Sequence, residues 1–320
     1  MAVYTEVTFE DLDAFISTYD IGAVVSFKGI AEGVENTNYM VETDKGRYFL
    51  TLYEKRVAES DLPFFLGLLE HLADNGFPCP VPIHDKNELT LRSLNDRPAA
   101  VVSFLEGVSV HRPTPKHCQL LGEMLARMHL AAVDFNIQRP NALNPDGWTS
   151  LFESCRADAD SFISGLEGEI EKDLTDLIGR WPDNLPTGVI HADLFPDNVF
   201  FLGDRLSGFI DFYFACDDIL AYDLAICLNA WCFENDGQFN ITKARALTNG
   251  YQKQRKLSDA EIAAFPVLAG GAALRFLLTR LVDWLTPVEG ALVKPKDPTE
   301  YLKKLRFHRN VKGPGEYGIG

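Results

Sequence analysis

The chain has 320 residues, 46% hydrophobic and 24% charged, which is the composition of a globular protein long enough for two lobes. Its formal net charge of −16 repels phosphate backbones, which argues against a nucleic-acid partner. Six scattered cysteines, an acidic N-terminus without a signal-peptide pattern and apolar stretches too short for a membrane span predict a cytoplasmic protein without a membrane partner.

The first third of the chain is predicted to be rich in β-strands. A capping-box pattern at 8–11 opens a helix that extends to about Tyr19. A second apolar helical pattern begins at Ser60 and ends at Asn75 and Gly76. Between and after these helices, β-rich runs alternate with turn residues. The predicted strands cover residues 23–28, 37–42, 47–53, 89–94 and 99–104.

Helical patterns fill most of the chain after Gly107, with apolar residues repeating at intervals that place them on one helix face. We therefore predict a small β lobe over 1–104 and a larger helical lobe over 105–320. A cleft between such lobes is the natural place for a nucleotide. The predicted helical stretches cover 116–132, 151–178, 221–232, 242–251, 259–287 and 299–305.

The most informative motif is His191-x-Asp193-x-x-x-x-Asn198, which lies between apolar residues in the helical lobe. A further apolar run ends at Asp211. A carboxylate, an amide and a second carboxylate at this spacing are what phosphoryl transfer from a Mg-nucleotide requires. One Asp orients and deprotonates a hydroxyl, while an Asn and another Asp hold the metal. His191 is grouped with these catalytic residues, although its expected task is to hold the loop by hydrogen bonds.

The runs 199–202 and 206–210 flank turn residues and predict a β-hairpin. With the turn centred on Asp204 and Arg205, Asn198 would face Asp211 at the open end, so that two hard oxygen donors lie side by side, as Mg²⁺ prefers. A hairpin with merely polar ends is the structural alternative. A zinc site of the His-x-Asp type is disfavoured, because no second His or Cys lies at ligand spacing nearby.

A small β lobe, a linker near 101–107 and a helical lobe with this motif resemble the aminoglycoside-phosphotransferase-like branch of the protein-kinase fold. Segments 33–39, 48–54 and 273–284 most closely resemble the bacterial homoserine kinases of that branch. The resemblance implies an α+β, bilobal protein-kinase-like fold. Its small antiparallel β N-lobe binds the nucleotide, and its larger, mainly helical C-lobe carries the metal-binding hairpin, catalysis and the substrate.

The resemblance also implies the ligands and the roles of the motif. ATP and Mg²⁺ are the implied cofactors and L-homoserine is the implied small-molecule substrate, with O-phosphohomoserine as product. Asp193 resembles the catalytic base, and Asn198 and Asp211 resemble the Mg²⁺ ligands. The loop at 29–38 resembles the one that covers the phosphates. The implied nucleotide-binding residues are Gly29, Gly33, Asn36, Asn38, Thr51, Ser103 and Leu105.

Thr51 departs from the pattern of most kinase-like enzymes, which carry a phosphate-anchoring lysine on this strand. Threonine is usual at this place in the homoserine-kinase branch, so we do not interpret it as lost activity. A cation from elsewhere is then expected to meet the phosphates. Lys28, Arg47 and Lys55 are the candidates, and a solvated surface side chain is the alternative for each.

The acceptor site is predicted on the helix near the C-terminus. Phe276, Arg280, Asp283 and Trp284 share one face at helical spacing. A substrate with both a carboxylate and an ammonium group needs such an opposed cation and anion. The alternative is a surface ion pair between Arg280 and Asp283. Tyr213, which follows the metal-site carboxylate, is a further candidate for the acceptor pocket.

Two other functions remain open from the sequence. One is a kinase of the same fold that acts on choline, an aminoglycoside or a thiosugar. The other is a catalytically silent nucleotide-binding regulator, which only Thr51 supports and which the intact Asp193, Asn198 and Asp211 oppose. The oligomeric state is not determined by the sequence.

Overall fold

The computed structural model describes residues 5–30, 36–54, 57–286 and 295–319. These residues form two compact units, one up to Glu106 and one from Gly107 onward. Strands dominate the first unit and helices the second, as the sequence predicts. The assignment of nucleotide binding to one lobe and catalysis to the other stays a prediction.

An antiparallel five-stranded sheet makes up most of the first unit. Its elements are α1 (Phe9–Ile16), β1 (Val24–Gly29), β2 (Thr37–Thr43), β3 (Gly46–Leu52), α2 (Leu62–Asp74), β4 (Arg92–Leu94) and β5 (Arg97–Ser103). The strand order is β1-β2-β3-β5-β4.

Local sequence signals explain the start of α1 and the β4–β5 turn. The Thr8 hydroxyl accepts the Asp11 amide at 3.1 Å and the Asp11 carboxylate accepts the Thr8 amide at 3.3 Å, which is the predicted capping box. Asn95 and Asp96 both have positive φ, as a two-residue hairpin turn requires. Of the strand predicted over 89–94, only Arg92–Leu94 forms a strand.

One face of this sheet is a hydrophobic core. Alternate strand residues such as Val41 and Leu50 point to this face, where Leu12 and Phe15 of α1 cover them. Phe27 of β1 packs against the same cluster. The intervening residues therefore lie on the opposite face of the sheet.

The second unit is mainly helical and contains two short strand pairs. Its helices are α3 (Pro115–Ala131), α4 (Pro145–Cys155), α5 (Ala159–Phe162), α6 (Leu166–Gly179), α7 (Leu220–Trp231), α8 (Ile241–Gln254), α9 (Asp259–Leu285) and α10 (Thr299–Asn310). Its strands are β6 (Thr187–Ile190), β7 (Val199–Leu202), β8 (Arg205–Phe209) and β9 (Cys216–Ile219), paired β6-β9 and β7-β8.

The sequence predicts one continuous helical stretch over 151–178, and this prediction was wrong because the stretch is interrupted. Three helices cover this stretch, because a 3-10 turn at Arg156–Asp158 ends α4 and Gly165, in a left-handed conformation, precedes α6. The sequence analysis also missed β6 and β9. Each has only four residues, and the polar pair Asp217 and Asp218 hides the strand character of β9.

The predicted hairpin exists as β7 and β8, but its register differs from the prediction. The turn is Gly203 and Asp204, one residue earlier than expected. Val199 therefore pairs with Phe209, not with Ile210, and the register shifts between Phe200 and Phe201. Such an irregularity inserts an extra residue on one strand and locally changes its direction.

Helix α9 passes for a membrane-spanning segment by length and composition, contrary to the expectation from the sequence. However, 67% of its most apolar window is buried inside the protein. Arg275 and Arg280 also lie buried along it. A core helix of a large protein has this character, because apolar residues surround it on most sides.

Helices α3 and α8 approach each other closely at two glycines. A Cβ atom at Gly122 would overlap the Leu247 carbonyl oxygen, and one at Gly250 would overlap the Gln119 carbonyl oxygen. The absence of side chains lets the two backbones touch. This contact fixes the pair of helices that carries His129 and Tyr251 of the site described below.

Replacing Gly250 with alanine should destabilise the protein by about 1–3 kcal/mol, because the added methyl group must displace a helix backbone. Gly168 in α6 is a matched control, since no heavy atom lies within 4 Å of an ideal Cβ there. Gly168→Ala should be neutral or should stabilise by about 0.5–1 kcal/mol. Urea unfolding monitored by circular dichroism compares them. A Gly250→Ala protein as stable as wild type would contradict the close helix contact.

Candidate active site

His191 follows β6 directly and lies in the interior of the second unit. Its Nε2 donates to the Ile210 carbonyl at 2.9 Å, and its Nδ1 accepts the backbone N–H of Asp193 at 3.3 Å. A carbonyl can only accept, so the proton sits on Nε2 and the ring is neutral. Burial lowers the pKa of His191 to about 4. The ring thus ties the motif loop to the end of β8.

Asp223 of α7 anchors the same loop and was missed by the sequence analysis. Its carboxylate accepts the backbone N–H of His191 at 2.8 Å and that of Ala192 at 3.0 Å. His129 of α3 donates to it at 3.1 Å. Burial raises the pKa of Asp223, but the hydrogen bond from His129 and the other contacts outweigh it, and the pKa lies below its ordinary value. A single Asp in an otherwise apolar helix was the available signal, since a buried charge needs partners.

Ala192 is held in a strained conformation between two charged groups. Its φ is 62°, in the left-handed region that is unfavourable for residues with a Cβ. Asp223 accepts its N–H, and Arg275 of α9 donates to its carbonyl oxygen at 2.5 Å. Because both sides of the residue are bound, the surrounding helices determine the direction in which the chain enters Asp193.

The support for Asp223 extends to α8 and the start of α9. The Tyr251 hydroxyl is hydrogen-bonded to Nδ1 of His129 at 2.8 Å, while Nε2 of the same ring donates to Asp223. Arg255 donates to the Tyr251 oxygen at 3.3 Å and pairs with Glu261 at 2.9 Å. The motif loop is therefore connected by hydrogen bonds to α3, α7, α8 and α9.

Asn198 and Asp193 contact each other directly. The Asn198 amide nitrogen donates to the Asp193 carbonyl at 2.7 Å and to the Asp193 carboxylate at 3.2 Å. This use of the nitrogen leaves the Asn198 amide oxygen as an acceptor. The Asn198 carbonyl accepts the N–H of Ile210 at 3.0 Å, so Asn198 faces Ile210, and Asp211 is the residue that follows Ile210 beyond the end of β8.

Asp211 follows the hairpin with an exposed carboxylate and a φ of 63°. An amide oxygen and a carboxylate are hard donors that suit Mg²⁺, which completes its octahedron with water and phosphate oxygens. Within residues 5–30, 36–54, 57–286 and 295–319, no group of three or more His, Cys, Asp or Glu is arranged to hold a metal ion. The donor set at this loop therefore fits Mg²⁺ better than Zn²⁺.

The electrostatics around Asp193 raise its affinity for a proton. Burial is the largest cause that raises its pKa, to about 8. Arg275 opposes the rise, whereas the charge of Asp211 adds to it. A carboxylate with a raised pKa holds a proton more firmly than a free aspartate does, which suits proton acceptance from an alcohol.

The predicted acceptor residues are not grouped as the helical spacing suggested. Arg280 is buried, donates to the Glu300 carboxylate at 2.6 Å and lies over the Tyr301 ring at 4.4 Å. Arg280 is therefore a buried residue covered by α10, which supplies Glu300 as an ion-pair partner. Asp283 and Trp284 lie on the exposed side of α9.

The other two aromatic candidates have separate surroundings. Trp284 is 43% exposed and packs edge-to-face on Phe162 with ring centroids 5.6 Å apart. Tyr213 is half-buried in the 3-10 turn that follows Asp211. Trp231 of α7 is buried and donates to the Leu194 carbonyl at 2.7 Å, so it belongs to the core.

The predicted nucleotide residues lie in the first unit. Thr51 of β3 donates its hydroxyl to the side-chain oxygen of Asn38 on β2 at 2.8 Å. Asn36 is buried and accepts the N–H of Glu54 at 3.3 Å. Gly29 ends β1 opposite Tyr39, and Gly33 lies outside the described residues.

The linker residues differ in the backbone groups that they leave available. The N–H of Ser103 donates to the Val81 carbonyl at 2.8 Å, and that of Phe104 donates to the Arg47 carbonyl at 3.3 Å. Leu105 has no backbone hydrogen bond to another described residue. The Ser103 N–H is therefore already used within the first unit, whereas the Leu105 peptide is available to a ligand.

The side chains predicted to supply a cation to the phosphates differ in their surroundings. Arg47 pairs with Glu106 at 3.0 Å and lies over the Phe104 ring at 4.3 Å. Lys28 is exposed on β1. Lys55 lies outside the described residues.

Comparison with known proteins identifies close relatives along the whole chain. A model of the phosphotransferase enzyme family matches residues 26–257. The homoserine kinase of Parvibaculum lavamentivorans is 64% identical over 319 residues, which is 100% of this chain and 99% of that protein. The homoserine kinases of Rhizobium johnstonii and Rhodospirillum rubrum are 59% and 60% identical, with the same coverage.

Solved structures share the fold at much lower identity. A spectinomycin phosphotransferase in complex with ADP and spectinomycin gives a TM-score of 0.69 at 14% identity, covering 98% of each chain. An amicoumacin kinase in complex with AMP-PNP, Ca²⁺ and Ami gives 0.68 at 16% identity, covering 93% of this chain and 91% of that one. The predicted kinase-like α+β fold is confirmed. The chain belongs to the phosphotransferase enzyme family and, within it, to the homoserine kinases.

Proposed function

We propose that this chain transfers the γ-phosphoryl group of ATP to the side-chain hydroxyl of L-homoserine. The observation that supports this most is the Asp193–Asn198 pair beside Asp211, in a chain 64% identical to a homoserine kinase. The product would be O-phosphohomoserine, an intermediate for threonine synthesis. Solved relatives that carry ADP or AMP-PNP support ATP as the donor.

In the proposed mechanism, Asp193 orients the acceptor hydroxyl and takes its proton as the oxygen attacks the γ-phosphorus. The Asn198 amide nitrogen holds the Asp193 carboxylate at 3.2 Å, so the base keeps one position. Preorganisation of this kind lowers the barrier because little reorientation is needed during the reaction. His191 takes no proton in this scheme and holds the loop.

Asn198 and Asp211 are the proposed ligands of Mg²⁺. When bound, the ion neutralises charge on the phosphate oxygens during transfer. The Asn198 oxygen fits this task because its amide nitrogen already bonds Asp193. Asp211 fits because its carboxylate is exposed at the open end of the hairpin.

The acceptor site is proposed to include Arg280, Asp283, Trp284 and Tyr213. Arg280 already pairs with Glu300, so a substrate carboxylate would have to share the guanidinium with Glu300. A guanidinium has five donors and can bind two carboxylates at once. Arg280 can therefore serve the acceptor while it stays attached to α10.

Asp193→Asn should reduce kcat by ~10²–10⁴, because the amide cannot accept the hydroxyl proton. Mg-ATP affinity should stay nearly unchanged, since the substitution keeps the size of the side chain and removes no proposed ligand. Asp197→Asn is the matched control, because Asp197 is an exposed carboxylate in the same loop. Steady-state kinetics with ADP release measure both variants. Near-normal turnover of Asp193→Asn would show that Asp193 is not the base.

The neutral, buried His191 should make stability depend on pH. Its folded pKa of about 4 lies below the unfolded value near 6.5, so the unfolded chain binds the proton first as pH falls. This group should therefore contribute a stability loss of about 2 kcal/mol between pH 7.5 and 5.0. In His191→Gln, urea unfolding at these two pH values should show a pH-dependent loss smaller by that amount. An unchanged difference would mean that His191 is charged or exposed when folded.

Homoserine should be phosphorylated with a kcat/KM at least ~10-fold above serine and threonine, a difference of ~1.4 kcal/mol. Serine carries its hydroxyl one carbon closer to the amino-acid head group. With the head group anchored, that hydroxyl falls short of Asp193, and misplacement near 1 Å can lower the rate ~10²-fold. A coupled ADP-release assay across homoserine, serine, threonine, choline and kanamycin measures this. A preference for choline or kanamycin would overturn the assigned acceptor and leave the phosphotransferase fold intact.

A further inference from the structure

The first unit carries a threonine where kinase-like enzymes use a lysine for the phosphates, and the hydrogen bond of Thr51 explains what this residue does instead. Its hydroxyl donates to the Asn38 side-chain oxygen at 2.8 Å. With its proton given to Asn38, Thr51 has none left for a phosphate. The same bond turns the Asn38 amide nitrogen, with its two protons, away from Thr51.

The strand register places Asn38 on the sheet face that is opposite the hydrophobic core. Directly opposed residues of antiparallel strands share a face, and Asn38 opposes Thr51, while Met40 opposes both Phe49 and Lys28. Asn38 and Met40 are alternate residues of β2. Lys28, Asn38 and Thr51 therefore lie on one face.

The core side of the sheet supports this assignment. Phe27 and its partner Val41 point into the hydrophobic cluster under α1. Lys28 and Met40, the next residues along each strand, must point the other way. Strand spacing puts the Cα atoms of Lys28 and Thr51 roughly 12 Å apart, a separation that a flexible lysine and a polyphosphate can bridge together.

The other Lys and Arg side chains of the first unit that the structure describes are engaged elsewhere. Arg47 binds Glu106, and Lys45 and Lys86 bond the carbonyls of Asp20 and Ser17. Arg92 pairs with Asp85, and Arg97 with Glu54. Within 5–30, 36–54 and 57–106, Lys28 is the one Lys or Arg with neither an ion pair nor a side-chain hydrogen bond.

We propose that the Asn38 amide, oriented by Thr51, and the Lys28 ammonium together bind the phosphate oxygens of the nucleotide in place of the missing lysine. The inference rests on the proposed function, since it takes ATP as the donor. Asn38 supplies directed hydrogen bonds, and Lys28 supplies the positive charge that a chain of net charge −16 offers only locally. Thr51 is a positioning residue, because it acts through Asn38.

Calorimetric titrations with ADP and with adenosine test the proposal, because adenosine has no phosphate. Lys28→Gln should weaken ADP binding about 10-fold or more, the usual effect of losing a hydrogen bond to a charged group. Adenosine affinity should change less than about 2-fold, since the contacts to the base remain. Lys45→Gln removes the same charge at an exposed turn and should leave both affinities unchanged.

Thr51 is tested by a pair of variants. Thr51→Val keeps the shape but frees the Asn38 amide to rotate, and it should weaken ADP binding about 3–10-fold without affecting adenosine. Thr51→Ser keeps the hydroxyl and should bind ADP as wild type does. Equal losses for ADP and adenosine, or equal behaviour of the Val and Ser variants, would overturn the role of the Thr51 hydroxyl.

These experiments can contradict the phosphate-binding proposal and the proposed acceptor independently. Unchanged ADP binding in Lys28→Gln would overturn the role of Lys28, whatever the acceptor is. A wild-type protein that binds ADP but does not phosphorylate homoserine would overturn the proposed acceptor alone. Calorimetry of ADP requires no acceptor, so the two results are independent.

Discussion

The carboxylate of Asp223 is the group on which the conformation of the motif loop at 191–198 depends. It is fully buried and accepts hydrogen bonds from the amides of His191 and Ala192 and from the ring of His129. Burying a charge is costly unless every oxygen is satisfied. The carboxylate needs the loop amides as donors, and the loop amides would in turn be unsatisfied without the carboxylate. The loop and α7 must therefore form together, and the left-handed conformation of Ala192 persists because both elements hold it.

The second constraint is the distribution of charge. The chain is strongly acidic, yet Arg275 lies buried beside the loop, stacked over the Phe276 ring at 4.4 Å. Its donated hydrogen bond holds the Ala192 carbonyl, and its charge moderates the raised pKa of Asp193. One buried cation thus affects both the backbone at Ala192 and the proton affinity of Asp193. Local cations matter more in such a chain, since its overall field repels a polyphosphate.

Some parts of the fold and site followed from short-range patterns, and others did not. The capping box, the Asn95–Asp96 turn and the β7–β8 hairpin depend on residues close in sequence, and the structure contains each of them. The hairpin register was wrong because a one-residue shift in the turn and an extra residue in β8, opposite Phe200 and Phe201, leave no strong sequence signal. The environment of Arg280 was unpredictable, because Glu300 lies twenty residues further on, in a separate helix.

The sequence by itself determined the fold class, because the residue types and spacing of His191, Asp193 and Asn198 require no knowledge of distant contacts; the chemistry of this loop stays a prediction. It also determined that a lysine is missing at Thr51. Only the tertiary structure decided that Asp223 carries the loop and that the Thr51 hydroxyl bonds Asn38. The physical reason is that satisfying a buried polar group depends on which chain segments meet, and these segments are far apart in sequence.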